Sequence, residues 1–185
     1  MKLVVGLGNP GRKYTKTRHN VGWFVLANLI QKYGISRPRE KFYGELVEAV
    51  IDGEQILFLA PHTFMNRSGQ SVLAARDFYK IPEDDLLVVC DDFNLPLSKL
   101  RMRPSGSAGG QNGLADIIRV FGSDQVHRLR IGIGPVPEGW DPSAFVLGKF
   151  SKDEKPLVEE SVLRAAQGVF LWASAGIDES MNQFN

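Results

Sequence analysis

The sequence predicts a single-domain, three-layer α/β/α fold in which a twisted mixed sheet is flanked by helices. Three observations predict it. The chain has 185 residues with no linker and no internal repeat, so residues 1–185 read as one domain with one substantial core. Strand-like and helix-like patterns alternate along the chain, as they do in layered α/β domains. Two short apolar runs, Leu3–Leu7 and Leu86–Cys90, each end in a polar segment, as buried parallel strands do.

The elements follow in order. Leu3-Val4-Val5-Gly6-Leu7 is a buried strand that ends in the loop Gly8-Asn9-Pro10-Gly11. Asn20 is a competent N-cap for a helix whose apolar side carries Val21, Phe24, Val25 and Leu29. Phe42–Val50 and Gln55–Ala60 are β-like, and Asp52-Gly53 between them is a hairpin signal. A loop over 61–69 leads into a helix to about Lys80. Leu86–Cys90 is a second buried strand, ending at Asp91-Asp92. Lys99–Arg103 alternates basic and apolar residues, as a half-exposed strand does. The small-residue loop Pro104–Gly110 precedes a short helix with Leu114, Ile117, Ile118 and Phe121, then a strand over Leu129–Ile133. Ser151-x-x-Glu154 is a capping box that opens one long C-terminal helix bearing Val158, Val162, Ala165, Ala166 and Val169. Sites in such sheets form beyond the carboxyl ends of the strands, which are Gly8-Asn9 and Asp91-Asp92 here.

Composition excludes several classes. Hydrophobic residues at 43% and charged residues at 23% mark an ordinary globular chain, not a disordered one. No apolar run approaches the ~18 residues of a membrane span. The apolar run at the N-terminus is too short for a signal peptide, and a cytoplasmic protein is expected. The single cysteine, Cys90, excludes an intrachain disulfide and a cysteine-based zinc site. No metal and no cofactor are expected. The net charge of +1 argues, taken alone, against a nucleic-acid binder, but it hides an asymmetry. Residues 1–41 carry a net +8, 42–98 a net −7, 99–130 a net +4 and 131–185 a net −4. A fold that joins the first and third blocks would carry a basic face able to steer an anionic partner.

Gly6-x-Gly8-x-x-Gly11 matches a dinucleotide fingerprint on paper. That fingerprint needs a helix opening at the third glycine and an acid about 20 residues on. Asn9–Tyr14 reads as loop and the first acid after Gly11 is Glu40, so the run reads better as a tight turn aiming Asn9 into a cleft. Of three histidines, His62 lies in a loop and His127 lies before a strand and reads as a structural or phosphate-facing residue. His19 stands out because a carboxylate, Asp91, and amides at Asn9, Asn66 and Asn112 lie at strand ends or loops. A general base needs a carboxylate that fixes its tautomer. Cys90 follows four aliphatic residues and reads as a buried thiol rather than a nucleophile. Lys99, Arg101 and Arg103 share one face of a strand, as do Arg128 and Arg130; either set is ordinary solvated surface by itself, and with the basic first block they form a track for phosphates. Tyr14, among Arg12, Lys13, Lys16 and Arg18, offers a ring for stacking on a base.

These residues fall into six motifs: Gly6-Leu-Gly-Asn-Pro-Gly11; Tyr14-x-x-Thr17-Arg-His-Asn20-x-Gly22; Phe64-Met-Asn66-x-Ser-Gly69; Asp91-Asp92 with Leu95-Pro96; Gly109-Gly-Gln-Asn-Gly113; and His127-Arg-Leu-Arg-Ile-Gly-Ile-Gly134. In that order and spacing the chain closely resembles bacterial-type peptidyl-tRNA hydrolase over nearly its whole length. The resemblance implies a monomeric α/β hydrolase that needs no protein partner. It would cleave the ester between a peptide and the 3′ end of tRNA and so recycle tRNA from stalled or aborted translation. It implies His19 as catalytic base and Asp91 as its carboxylate partner. It implies Asn9, Tyr14, Met65, Asn66 and Asn112 as substrate-binding residues, and Arg101, Arg103 and Arg130 as contacts to tRNA phosphates. Three positions depart from the family's common pattern: Cys90 replaces a histidine or tyrosine, Gln111 a histidine and Asn94 an aspartate. The competing classes are a non-catalytic RNA-binding relative of the same fold and a nucleotide-dependent oxidoreductase. The unbroken constellation favours the enzyme over the first, and the missing downstream acid disfavours the second.

Overall fold

Seven strands and six helices alternate along the computed structural model, which describes residues 1–185. In chain order they are β1 (Lys2–Gly6), α1 (Val21–Tyr33), β2 (Arg39–Lys41), β3 (Gly44–Ile51), β4 (Glu54–Pro61), α2 (Ser68–Tyr79), β5 (Leu86–Pro96), β6 (Leu100–Arg103), α3 (Asn112–Phe121), β7 (His127–Gly134), α4 (Pro142–Val146), α5 (Lys155–Ala175) and α6 (Ile177–Phe184). One sheet holds every strand in the order β2-β3-β4-β1-β5-β7-β6. The four central strands β4, β1, β5 and β7 are parallel. The outer pairings β2–β3, β3–β4 and β6–β7 are antiparallel. The sheet is therefore mixed, as expected.

Alternate residues of the central strands feed two cores. Val4, Leu87, Val89 and Leu129 pack with Val25 and Leu29 of α1 and Val162, Val169 and Trp172 of α5. Leu3, Val5, Val88 and Cys90 pack on the opposite face with Val72 and Ala75 of α2 and Leu114 and Ile117 of α3. This is the three-layer arrangement, with strand parity deciding which layer each side chain joins. No helix is long and apolar enough to cross a membrane.

The chain passes from β1 out to β4 on one side and then returns to β5 on the other. The carboxyl ends of β4, β1 and β5 thus lie side by side at a change of winding direction, where α/β sheets open a crevice. The start of α1 is pressed into this point. A side-chain carbon on Gly22 would lie 2.5 Å from the Val89 carbonyl and 2.8 Å from the Leu7 nitrogen. Only glycine lets α1 sit that close to the strands, and the residues just ahead of it, including His19, come with it.

The structure corrects several sequence expectations. Asn20 stands at the N-cap position of α1 but makes no side-chain cap bond; its amide is committed elsewhere. β5 runs past Asp91-Asp92 to Pro96, with an irregularity in its pairing to β7 after Asp92. The short β2 lacks any apolar pattern and had no sequence signal. The single long C-terminal helix is two, α5 and α6, broken at Gly176, whose φ of 88° leaves the helical region. The reciprocal bonds of a capping box form, Ser151 N–H donating to Glu154 Oε1 at 2.8 Å and Glu154 N–H to Ser151 Oγ at 3.2 Å, but they close the turn ahead of α5, whose N-cap position is Glu154 and carries no side-chain cap bond.

Candidate active site

Asp91 and Asp92 are neighbours midway along β5, where its regular pairing with β7 ends, so their side chains leave opposite faces of the sheet. Both are buried, which rules out the solvated turn acids that such a dipeptide also suggests. Asp91 points to the α1 side. There the ring of His19 sits in the short 3₁₀ turn Arg18–Asn20, with Nδ1 at 2.9 Å from Asp91 Oδ1 and 2.8 Å from Oδ2. A neutral imidazole facing a carboxylate places its proton on the nitrogen between them. Nε2 is left as the basic nitrogen.

The turn that carries His19 is anchored on both sides. Arg18 donates to both oxygens of Glu154, at 2.7 and 3.0 Å, and lies over the rings of Phe145 and Phe150. The Arg18 guanidinium holds the Glu154 carboxyl down to about 2. On the other side, Asn20 Oδ1 accepts the Asn9 N–H at 2.9 Å and Asn20 Nδ2 donates to the Asn9 carbonyl at 3.0 Å. This two-way clasp is where the Asn20 amide is spent. Asn9 in turn accepts the Met65 N–H on its Oδ1 at 2.8 Å. That bond fixes which way the Asn9 amide points and leaves its Nδ2 as a donor with no protein partner. The His19 turn, the Asn9 amide and the Met65 turn are therefore one hydrogen-bonded unit, joined to Asp91 of β5 through the His19 ring.

These residues line a cleft of ≈ 330 Å³, within the range of small-ligand sites. Asn9, His19, Met65, Asn66, Asp91 and Asn112 all contribute to its wall, with Phe64, Phe93, Val146 and Leu147 as the apolar part. Asn66 and Asn112 are exposed. Larger depressions of ≈ 530 and ≈ 920 Å³ lie along α1 and α5 and contain no histidine; another of ≈ 490 Å³ holds Glu40 and His62, both exposed.

Gln111 is the site residue that motif reading left without a role. It is buried at the head of α3. Its Oε1 accepts the Leu114 N–H at 2.8 Å, and its Nε2 donates to Asp91 Oδ1 at 3.1 Å and lies 3.2 Å from Met65 Sδ. The usable signal was its place in the Gly109–Gly113 run, directly before Asn112.

The remaining residues fall outside the cleft. Tyr14 is half-buried in the turn Arg12–Tyr14, with Lys13 Nζ 4.9 Å from its ring, and does not line the cleft. Arg101 is exposed on β6, directly opposite Arg130 of β7, and Arg103 is opposite Arg128. The four arginines therefore share a face, but not a fate. Arg130 Nη1 is 3.1 Å from Asp92 Oδ2. Arg128, expected at the surface, is fully buried; it donates to the carbonyls of Val126, Gly106, Ser107 and Asp124 and so holds the small-residue loop. Cys90 is buried, and desolvation pushes its thiol up, out of the range of a nucleophile.

A family model described as peptidyl-tRNA hydrolase matches residues 3–185. The chain belongs to the peptidyl-tRNA hydrolase family. Among its relatives, a peptidyl-tRNA hydrolase of Rhodopirellula baltica is 52% identical over all of this chain and 97% of that protein. One from Desulfitobacterium hafniense is 44% identical over the full length of both. The crystal structure of the Acinetobacter baumannii peptidyl-tRNA hydrolase superposes with a TM-score of 0.93 at 37% identity, covering all of this chain and 94% of that one. The three-layer fold with its mixed seven-stranded sheet is thus that of the peptidyl-tRNA hydrolases, which are ester hydrolases. A more distant likeness, to a 5′-methylthioadenosine/S-adenosylhomocysteine nucleosidase of S. pneumoniae (TM-score 0.54, 11% identity, 94% of this chain and 99% of that one), extends to the fold alone.

Proposed function

We propose that this chain hydrolyses the ester between the peptide and the 3′ ribose of tRNA in peptidyl-tRNA released from stalled or aborted translation, and so recycles the tRNA. The observation that carries this reading is the His19–Asp91 pair in a cleft whose other polar lining groups are neutral amides and one hydroxyl. His19 Nε2 takes a proton from a water as that water attacks the ester carbonyl. Asp91 orients the ring and stabilises the imidazolium that forms. A general base of this kind contributes ~10²–10⁴-fold. The oxygen of the tetrahedral intermediate needs a donor already in place. Asn66 and the free Nδ2 of Asn9 are the two amides suited to that task, and the clasp with Asn20 favours Asn9 as the preorganised one. The 3′ ribose oxygen is an adequate leaving group, so the reaction needs no covalent intermediate, no metal and no cofactor.

In the same reading Met65 and Asn112 hold the end of the substrate, and Tyr14 stacks on an unpaired base beyond the cleft. Arg101, Arg103 and Arg130 meet tRNA phosphates, Arg101 being the most exposed of the three. The protein acts as a cytoplasmic monomer without a protein partner. The test is hydrolysis of an N-acetyl-aminoacyl-tRNA by wild type and His19→Ala. The variant should lose ~10²–10⁴-fold in turnover and keep tRNA binding. Near-normal turnover in His19→Ala sinks the assignment. Intact tRNA binding with no turnover by the wild type would instead favour a non-catalytic RNA-binding protein.

A further inference from the structure

We propose that Gln111 is a positioning residue that keeps His19 in its proton-accepting form by drawing charge from Asp91. The inference rests on the reading of His19 as the general base. It starts from the Asp91 carboxylate, which is 1% exposed and takes its side-chain hydrogen bonds from two residues, His19 and Gln111. Oδ1 is shared between them.

The amide of Gln111 has one workable orientation. Its oxygen is held by the Leu114 N–H in the first turn of α3. A flip would put that oxygen against the carboxylate and the NH₂ group against a backbone N–H, so the network sets the assignment. The amide is also wedged. A side-chain carbon on Gly113 would lie 3.1 Å from Gln111 Oε1 and 2.5 Å from Met65 Sδ. Helix α3 therefore aims a neutral donor at the carboxylate that serves the base.

The other charged groups around the pair are engaged or turned away. Asp92 of β5 leaves the opposite face and meets Arg130, and the neighbouring Cys90 thiol stays protonated. In the turn carrying His19, Arg18 is held by Glu154. On α3, Asp116 is held by the Gly69 N–H and Arg119. The register partner of Asp91 on β7 is Ile131. The cleft faces of α4 and of the turn after β4 offer Pro142, Ser143, Val146, Phe64 and Asn66, and Arg67 on that turn is exposed outside the cleft. Among the fourteen residues lining the cleft, only His19 and Asp91 ionise.

The sign follows. A donor to a carboxylate disperses its negative charge and weakens its hold on a nearby imidazolium. Removing the Gln111 donor makes Asp91 hold the proton on His19 more tightly. The base then stays protonated, and idle, to higher pH.

Gln111→Ser separates this effect from helix capping, because serine is a strong N-cap but cannot reach Asp91. Gln111→Glu keeps the length and the capping oxygen and replaces the donor with an acid. The measurement is turnover of N-acetyl-aminoacyl-tRNA against pH, with KM and the thermal midpoint. In Gln111→Ser the acid limb should move up by about one pH unit, lowering turnover on that limb about tenfold while KM stays within about twofold. In Gln111→Glu it should move at least as far. A limb that stays in place in both variants overturns the proposal, whether turnover falls evenly at all pH or not at all. Loss of the limb in His19→Ala marks His19 as its source; an unchanged limb there defeats the general-base reading itself, a separate result.

Discussion

His19 and His127 are hidden from solvent to the same degree, each 6% exposed, and each has its Nδ1 engaged. They sit at opposite ends of the parallel strands. His19 lies beside Asp91, just beyond the carboxyl end of β1, while His127 opens β7, in register with Leu87 near the start of β5. On His19, Nδ1 faces a buried carboxylate and Nε2 keeps its lone pair on a cleft wall. On His127, Nδ1 accepts the indole N–H of Trp172 at 3.0 Å, so the ring's proton is on Nε2, 3.7 Å from the exposed Asp84. Burial pushes the pKa of His127 down. One ring has its Nδ1 on a carboxylate and is proposed as the base; the other has its Nδ1 on an indole N–H and is held toward its neutral form by burial. Burial does not tell them apart; the atom bonded to Nδ1 does.

The sharpest way to break this contrast is Asp91→Asn. The amide can present an NH₂ group to Nδ1 and favour the wrong tautomer, as in other base–carboxylate pairs. Turnover should fall ~10²–10⁴-fold with the fold intact. A variant retaining half of wild-type hydrolysis would show that the carboxylate does not set up the base.

At the other ring the effect should fall on stability. His127→Ala leaves the buried Trp172 indole N–H without its acceptor, which costs about 1–3 kcal/mol. Urea unfolding should show the loss, and hydrolysis at low urea should not. The pH dependence has a definite sign. Because the folded pKa of His127 is lowered, the unfolded chain binds a proton that the folded chain refuses. The stability contributed is fully present above the ordinary value of ~6.5 and is lost as pH falls below it toward the lowered folded value. His127→Gln can keep an acceptor for Trp172 without ionising, so its urea midpoint should fall less between pH 7 and pH 5 than that of the wild type. Equal falls would clear His127 of that role.

The smallest expected effect repeats the contrast among the arginines. Arg101→Ala should weaken substrate binding a few-fold, raise KM and lower the log–log salt slope by about one, with stability unchanged. Arg128→Ala should instead destabilise the protein, because it frees carbonyls on the loop before α3. An Arg101→Ala enzyme with an unaltered salt slope would remove Arg101 from the phosphate track.

Much of the frame was legible because it is local. Val4, Val5, Val88 and Val89 announce strands covered on both faces, and Asp52-Gly53 gives a turn with φ of 50° and 82°. The pairing of Asp91 with His19 was expected because a carboxylate at the end of an apolar run is placed to meet a buried partner. The unreadable features depend on residues distant in sequence. Nothing in the alternation of Arg128 and Arg130 says that the carbonyls of Gly106 and Ser107 close over one of them. Asn20 carries the signature of a cap, and its use on Asn9 depends on α1 being pressed against β1. Tyr14 lies in a basic run that reads as one surface, yet the turn that holds it is separate from the cleft.

The back-to-back acids of β5 carry a consequence of a different kind. Asp91 meets His19 on one face, while Asp92 on the other takes Arg130 and the Asn94 N–H, and Asn94 in turn ties the Gly109 carbonyl. Their destinations follow from odd and even position along an extended chain. Loss or gain of a single residue between Leu86 and Asp91 would exchange them, sending the acid meant for the imidazole toward the arginine layer. The segment can absorb changes in the size of its aliphatic side chains. It cannot absorb a change in their number, so here length, more than composition, is the quantity that natural variation must conserve.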